Sequence, residues 1–512
     1  MNSQNIELLK DDFELLLQRR ANGETLKPLK NVIFNFTIQI GGNVMSDRRQ
    51  SSLRFEFCLF KADVTVLGRD MAGFVSFANC IFNKDVKSIV ENTSFKDCSF
   101  NGSYLMEIDR KNDFTLDDIS VRNKIELSGN AVQVRIQNVN LGQNKEAQLL
   151  YLDKLSCQRL IIENVVFEKI DVGRSSVTNW ISLNKITANK LIMSGVVVNG
   201  LLKFEESNVD NLSLMNIKGD SPKLKIDGSN KFNAFHLPLS SFRVAQIFDC
   251  EIAVLELSDT NIKDSFVNIK GVKTKSLMFR NVYNEGVLTI SEMKMASDGV
   301  VSIISSNLGK TDFIYCDFSK AVMRFENSKL TEIFLSETNF PKQVKVGNNV
   351  NHSQAQLAFG QLATAYQKQG DTIRALEYSA REIEAHYYET DWHFSQIFNK
   401  INLWLNLVSN NFGRSWIQGV LFSFSVGILF YCALLISTDE YHFYIPNIDT
   451  TLIPSFLKFM NPIRFFELET LFAKQISLTL NSWSYIWDFL GRVFVAYGFY
   501  QTIQAFRRFG RR

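Results

Sequence analysis

Asp488 and Arg492 are the only charged residues in a largely apolar stretch, Trp483 to Phe506. Their spacing puts a carboxylate and a guanidinium one helical turn apart, where they can pair. An ionisable group in a membrane-length helix marks a buried structural pair or a polar path lined by several helices. Tyr500 and Gln504 prolong the polar positions. Four residues advance a helix by about 40° beyond one turn, so this stripe winds. Ser415, Gly419, Ser423 and Gly427 form a second stripe at the same spacing. Small residues there let two backbones approach closely, and the shared drift suits a right-handed crossing. Packing is the expectation and conduction the alternative. Arg507, Arg508, Arg511 and Arg512 follow and would attract anionic lipid headgroups, at about 1 kcal/mol per basic residue.

Other chemistry is thin. The seven cysteines include no C-x-x-C pair, which fits a reducing compartment better than a disulfide framework. Cys58, Cys80 and Cys98 lie 22 and 18 residues apart, and Cys250 and Cys316 lie 66 apart. They read as inward thiols on successive coils of a repeat, and no histidine stands near them to suggest a metal. His386 and His393 with Glu382, Glu389 and Asp391 could ligate a metal only if one helix ran unbroken through them; solvated helix charges are the expectation. There is no Walker loop, G-x-S-x-G elbow, H-E-x-x-H or evident carboxylate pair. No catalytic, cofactor-binding or metal residue is assigned, no cofactor is expected, and a non-enzyme is the reading. Basic and acidic residues number 56 and 53, a net charge of +3, which gives no support to nucleic-acid binding.

The elements that must position these residues begin with Ser415 to Ser437, 23 residues without a charge. At about 1.5 Å per residue that helix is about 34 Å long, enough for a hydrocarbon core of about 30 Å. A second transmembrane helix is expected over 483–506. Residues 438–482 contain no glycine, so a potassium-type carbonyl filter is not expected between the spans. Instead 452–466, broken by Pro454 and Pro462, reads as an apolar segment in the outer interface. Lys400 and Arg414 precede the first span and the four arginines follow the second, against Lys458, Arg464 and Lys474 between them. By the positive-inside rule both termini are cytoplasmic. The N-terminal residues carry no signal-peptide core, so the long N-terminal part is expected to stay in the cytoplasm.

Residues 5–20 read as an amphipathic helix with Leu8, Leu9, Phe13, Leu16 and Leu17 on one side, and 1–30 as a cap. Over 31–347 short apolar stretches alternate with Asn, Asp, Ser and Gly clusters, as in LELSDTNI (255–262), LMFRNVYN (277–284) and MRFENSKL (323–330). Asparagine tolerates left-handed dihedrals and supplies corners. Two such stretches make a coil of about 20–24 residues that cannot bury its apolar face alone, so coils must stack.

FANCIF (77–82) and FKDCSF (95–100) resemble the pentapeptide-repeat class of right-handed β-helices, whose pattern is a central Leu or Phe preceded by Asn or Asp. The resemblance implies a right-handed parallel β-helix of about 14 coils, though not the uniform square one, because the five-residue phase lapses and Val and Ile are frequent. It carries over no catalytic motif. Residues 352–392 are similar to one tetratricopeptide-type helical pair, which suits a cap and coupling joint. Residues 396–412 are amphipathic, with Trp404 and Trp416 as headgroup-level anchors. Pair, amphipathic segment, NFGRSW and apolar span together resemble the tail of bacterial membrane-anchored pentapeptide-repeat proteins, some of which continue into a two-span channel-like pore.

The expected fold is mainly a β solenoid over 31–347. A helical hairpin and juxtamembrane segment follow over 352–412, then a membrane module over 413–512 with two transmembrane helices, at 415–437 and 483–506. The expected function is a scaffold or sensor in the bacterial inner membrane whose β-helix surface binds a partner protein. The alternative is a homo-oligomeric pore or permeability-perturbing effector gated by the solenoid, and a weaker one is a β-helix hydrolase.

Overall fold

The computed structural model describes residues 6–510 apart from 23, 25, 41–51, 69–73, 91–92, 110–112, 142–147, 238–241, 345–350, 438–451, 464–467, 469–470 and 472–479. The chain divides into two compact units, Met1–Gln343 and Val344–Arg512.

The first unit is a parallel β-solenoid of right-handed type with about 13 turns. Each strand pairs with the strand one coil further on, so Phe55 lies beside Phe77 and Phe77 beside Phe95. The same register sets Leu255 beside Leu277 and Leu277 beside Val301. Left-handed residues make the corners: Asn31, Phe57, Asn79, Asp97, Asp118, Asn138 and Asn164 have φ between 51° and 58°. Asn and Asp suit that conformation because a short polar side chain can bond locally. Their side chains also link coils, as when Asn164 Nδ2 donates to Asn138 Oδ1 at 2.8 Å and Asn138 Nδ2 donates to Asp117 Oδ1 at 3.0 Å. The short apolar stretches of the sequence suggested equally short strands. The ladder instead continues around corners, giving strands such as Leu149–Gly173, which contains left-handed Lys154 and Asn164.

The core is a set of stacked columns. Phe34, Phe60, Phe82 and Phe100 stack face to face at 4.8, 4.7 and 4.9 Å between ring centroids, and Phe55, Phe77 and Phe95 do so at 4.8 and 5.0 Å. Those spacings are the strand spacing of a sheet, so the coil rise itself sets the stack. The two columns meet edge to face, the other favoured arrangement for aromatic rings. Helix α1, Lys10–Ala21, closes this column: the Phe13 ring lies 5.4 Å from Phe34 and 6.4 Å from Phe55. The helix begins later than the apolar spacing suggested. Ile6–Leu8 form a strand paired with Val32–Phe34, and Leu9 is exposed.

In the second unit α2, His352–Lys368, packs on α3, Thr372–Glu389, with Tyr366 and Tyr378 stacked at 5.4 Å. Asn351 and Asp371 cap these helices by accepting from Gln354 N and Arg374 N. Helix α4, Ile397–Asn410, ends in a left-handed run, Asn411, Phe412 and Gly413, which turns the chain into α5, Trp416–Ile436. Helix α6, Leu452–Phe459, and α7, Ser482–Gly510, complete the unit. Pro454 sits in the first turn of α6, where its missing N–H costs nothing. Among the described residues α5 is the one helix long and apolar enough to cross a membrane.

Candidate functional site

The two helices with polar stripes pack antiparallel. An added Cβ on Gly419 would lie 2.5 Å from Thr502 Oγ1 and 3.1 Å from its Cα, so only glycine permits this approach. Further along, Ser423 lies against Gly498 and Phe430 against Gly491, while Ser437 Oγ lies 3.0 Å from Ser484 Oγ. The α5 positions 423, 430 and 437 are seven apart, as are 484, 491, 498 and 505 on α7, of which Ser484 and Ala505 are fully buried. The contacts thus follow a seven-residue seam and not the four-residue one that the stripes suggested. The drift noted in the sequence is the reason. By Gly427 the four-residue stripe has turned away from α7 and meets Met460 and Phe456, and Tyr431 packs on Phe456 and Phe459 at 5.5 Å each. Ser415 caps α5 by accepting from Gln418 N at 3.2 Å.

Asp488 and Arg492 are 4 % and 6 % exposed. Arg492 Nε donates to Asp488 Oδ2 at 2.9 Å and its Nη2 to the same oxygen at 2.8 Å. The structure does not bring Tyr500 and Gln504 to this pair: Tyr500 is exposed and Gln504 half-buried, carried off the seam by two and three further steps of drift. The buried polar position at that level is Gln501, whose Oε1 accepts from Asn410 Nδ2 at 2.6 Å. Asn410 Oδ1 also accepts from Gly413 N at 2.8 Å, so one side chain holds both the α4–α5 turn and α7. Gln418 Nε2 donates to the Leu407 and Val408 carbonyls. These three residues were missed in the sequence; their signal was polar side chains bordering an apolar span. Arg507 is exposed; Arg511 and Arg512 lie outside the described residues, as does the Arg508 side chain.

Outward, the polarity is reversed. Leu421, Leu429 and Ile436 on α5, and Phe489, Ile503 and Phe506 on α7, are all more than half exposed. Phe394, in the turn before α4, and Phe398, in its first turn, are 87 % and 81 % exposed. Lys400, the one cation of α4, is turned inward, donating to the Tyr387 carbonyl with its Nζ 3.9 Å from that ring's centroid.

Elsewhere the candidates resolve simply. Cys58, Cys80, Cys98, Cys250 and Cys316 are fully buried, and their thiols point to backbone carbonyls, as in Cys80 to Phe55 at 3.6 Å and Cys316 to Ile290 at 3.4 Å. Burial pushes the Cys157 and Cys250 thiols up to about 12 and Cys316 to about 11. Helix α3 ends at Glu389, so His386 and His393 do not share a helix, and His393 Nδ1 lies 3.1 Å from Ser395 Oγ. Among the described residues no group of three or more His, Cys, Asp or Glu is placed to hold a metal. One triad-like set, Ser258, His236 and Glu256, escaped the sequence reading. Ser258 Oγ lies 3.3 Å from His236 Nε2 and 3.4 Å from Nδ1, and Nδ1 lies 3.5 Å from Glu256 Oε2. A nucleophilic hydroxyl must also reach its substrate, and Ser258 is 1 % exposed.

No family model matches the chain, and neither a curated protein nor a solved structure does.

Proposed function

We propose that this chain is a membrane-tethered β-solenoid in which α5 and α7 cross a bilayer side by side and carry the solenoid as a binding or sensing surface for a partner macromolecule. The observation that carries the reading is the reversed polarity of α5 and α7. Leu421, Leu429, Phe489 and Ile503 face outward, while Asp488, Arg492, Ser423 and Gln501 are buried. In water that arrangement exposes the wrong side chains; in lipid it is the stable one, because ionisable residues face the bundle and pair. Composition alone nominates α5; α7 is added because its charges within 483–506 are the ones turned inward.

The exposed Phe394, Phe398 and Trp404 support α4 lying in the headgroup region. Lys400, Arg414 and Arg507 at that end support a cytoplasmic location for both termini, in a bacterial inner membrane. Anchoring is favoured over conduction because Asp488 and Arg492 satisfy each other within one helix. A solenoid offers an extended surface without a catalytic constellation, which favours recognition of a partner over hydrolysis.

Membrane fractionation with Leu421→Lys/Leu429→Lys tests the reading. On a soluble protein both are surface changes within about ±0.5 kcal/mol. Facing lipid, each costs about 2.5–3.5 kcal/mol at the helix centre. The wild-type chain should resist alkaline carbonate extraction and the double variant should not insert. Wild-type release by carbonate, without detergent, contradicts the proposal.

A further inference from the structure

A cavity of about 500 Å³ opens on the outer surface of the solenoid across five successive coils. Its volume falls within the range of about 300–1,000 Å³ typical of small-molecule sites. Four lysines line it, Lys231, Lys273, Lys275 and Lys294, against one carboxylate, Glu251. The register makes this a column: Lys231 pairs with Glu251, Glu251 with Lys273, and Lys273 with Lys294. Glu251 lies between two cations, 3.3 Å from Lys231 and 3.1 Å from Lys273. Those two lysines, Lys273 foremost, hold its carboxyl below the ordinary carboxylate range.

Lys294 is the next step of the column; among the described residues no ion pair holds it, and Asp317, its register neighbour on the following coil, accepts instead from Ser319 N at 3.0 Å. Like charges in register on neighbouring strands repel, so Lys273 beside Lys294 is a position that favours a bound anion. Small side chains, Ala253 and Ala296, line the cavity beside the lysines and leave it room. One wall is a bulge. The register jumps from Thr274 opposite Met295 to Ser276 opposite Val300, and the extra residues raise Asp298 to bond Lys275 at 2.8 Å. That contact holds the bulge beside the lysine column.

We propose that this groove binds a small organic ligand through an oxyanion, phosphate or carboxylate, held by Lys273 and Lys294, with an uncharged portion on Ala253, Ala296 and Met295. The site is independent of the membrane reading and of any protein partner.

Calorimetry on the purified full chain in detergent, titrated with inorganic pyrophosphate and separately with citrate at matched ionic strength, tests it. Binding of either anion is expected, and the tighter one identifies a phosphoryl or a polycarboxylate ligand. Losing one charge-assisted contact should weaken that binding about tenfold or more for Lys273→Met and for Lys294→Met. Lys203→Met, on another column, should leave it unchanged. Glu251→Gln removes the competing carboxylate and should tighten it, a sign that a structural role for Glu251 does not produce. Failure of both anions to bind wild-type protein overturns the proposal. So does equal binding by Lys273→Met and Lys294→Met, or weaker binding by a Glu251→Gln chain whose circular dichroism matches wild type.

Discussion

Phe77→Ala is the most informative perturbation of the solenoid. The Phe77 ring is 1 % exposed and touches four others: it stacks on Phe55 at 4.8 Å and Phe95 at 5.0 Å, and meets Phe60 and Phe82 edge-on at 5.8 and 5.4 Å. Truncating a buried Phe to Ala costs about 3–5 kcal/mol, with the high end where the site cannot collapse. Backbone ladders fix the coils on either side at their sheet spacing, so this site cannot close, and a loss of about 4–5 kcal/mol is expected. In a solenoid each coil contacts only its neighbours, so the loss should stay local. Hydrogen exchange on the full chain reads this directly. Protection should fall at 53–56, 74–78 and 93–96 and stay unchanged at 244–248 and 287–291. Uniform loss of protection along the solenoid, or a local change below about 1.5 kcal/mol, would refute the stacked-column account.

Other outcomes follow from the same geometry. Removing the Phe13 ring (Phe13→Ala) should increase exchange at 32–34 and 53–56 first, because α1 covers the end of the phenylalanine column. Under native conditions at pH 8 iodoacetamide should leave the six solenoid cysteines unmodified, and mass spectrometry of the alkylated chain checks this. Cys157 and Cys250 keep their protons to about 12 in the folded chain against an ordinary value of 9.0. Their contribution is therefore complete below pH 9 and is lost as pH rises from 9 towards 12, since only the unfolded chain can ionise them there. Denaturant titrations of Cys157→Ala/Cys250→Ala should show a shallower decline over that interval than wild type. On the anchoring proposal, Asp488→Leu/Arg492→Leu should still insert, whereas Asp488→Leu alone leaves a buried guanidinium without its carboxylate and should lower the inserted yield; quantitative membrane immunoblots distinguish the two.

The solenoid was legible because its signals are local. Asn and Asp at the left-handed corners and alternation between them are read residue by residue, and the cysteine spacings carry the coil period. The length of the strands was not legible, since alternation lapses at a corner such as Asn164 while the hydrogen-bond ladder does not. In the helical unit the pairing of Asp488 with Arg492 follows from spacing alone. The fate of Tyr500 and Gln504 does not, because a four-residue count accumulates drift that only a partner helix reveals. Gln501 was hidden for the same reason: its burial depends on Asn410, 91 residues away.

The claim that α5 and α7 both cross the membrane is tested most directly by reporter fusions that are active on opposite sides. A reporter after Arg512 and one before Met1 should both report the cytoplasm, and one inserted at Thr450 the far side. A far-side signal after Arg512, or a cytoplasmic one at Thr450, would contradict the two-span topology.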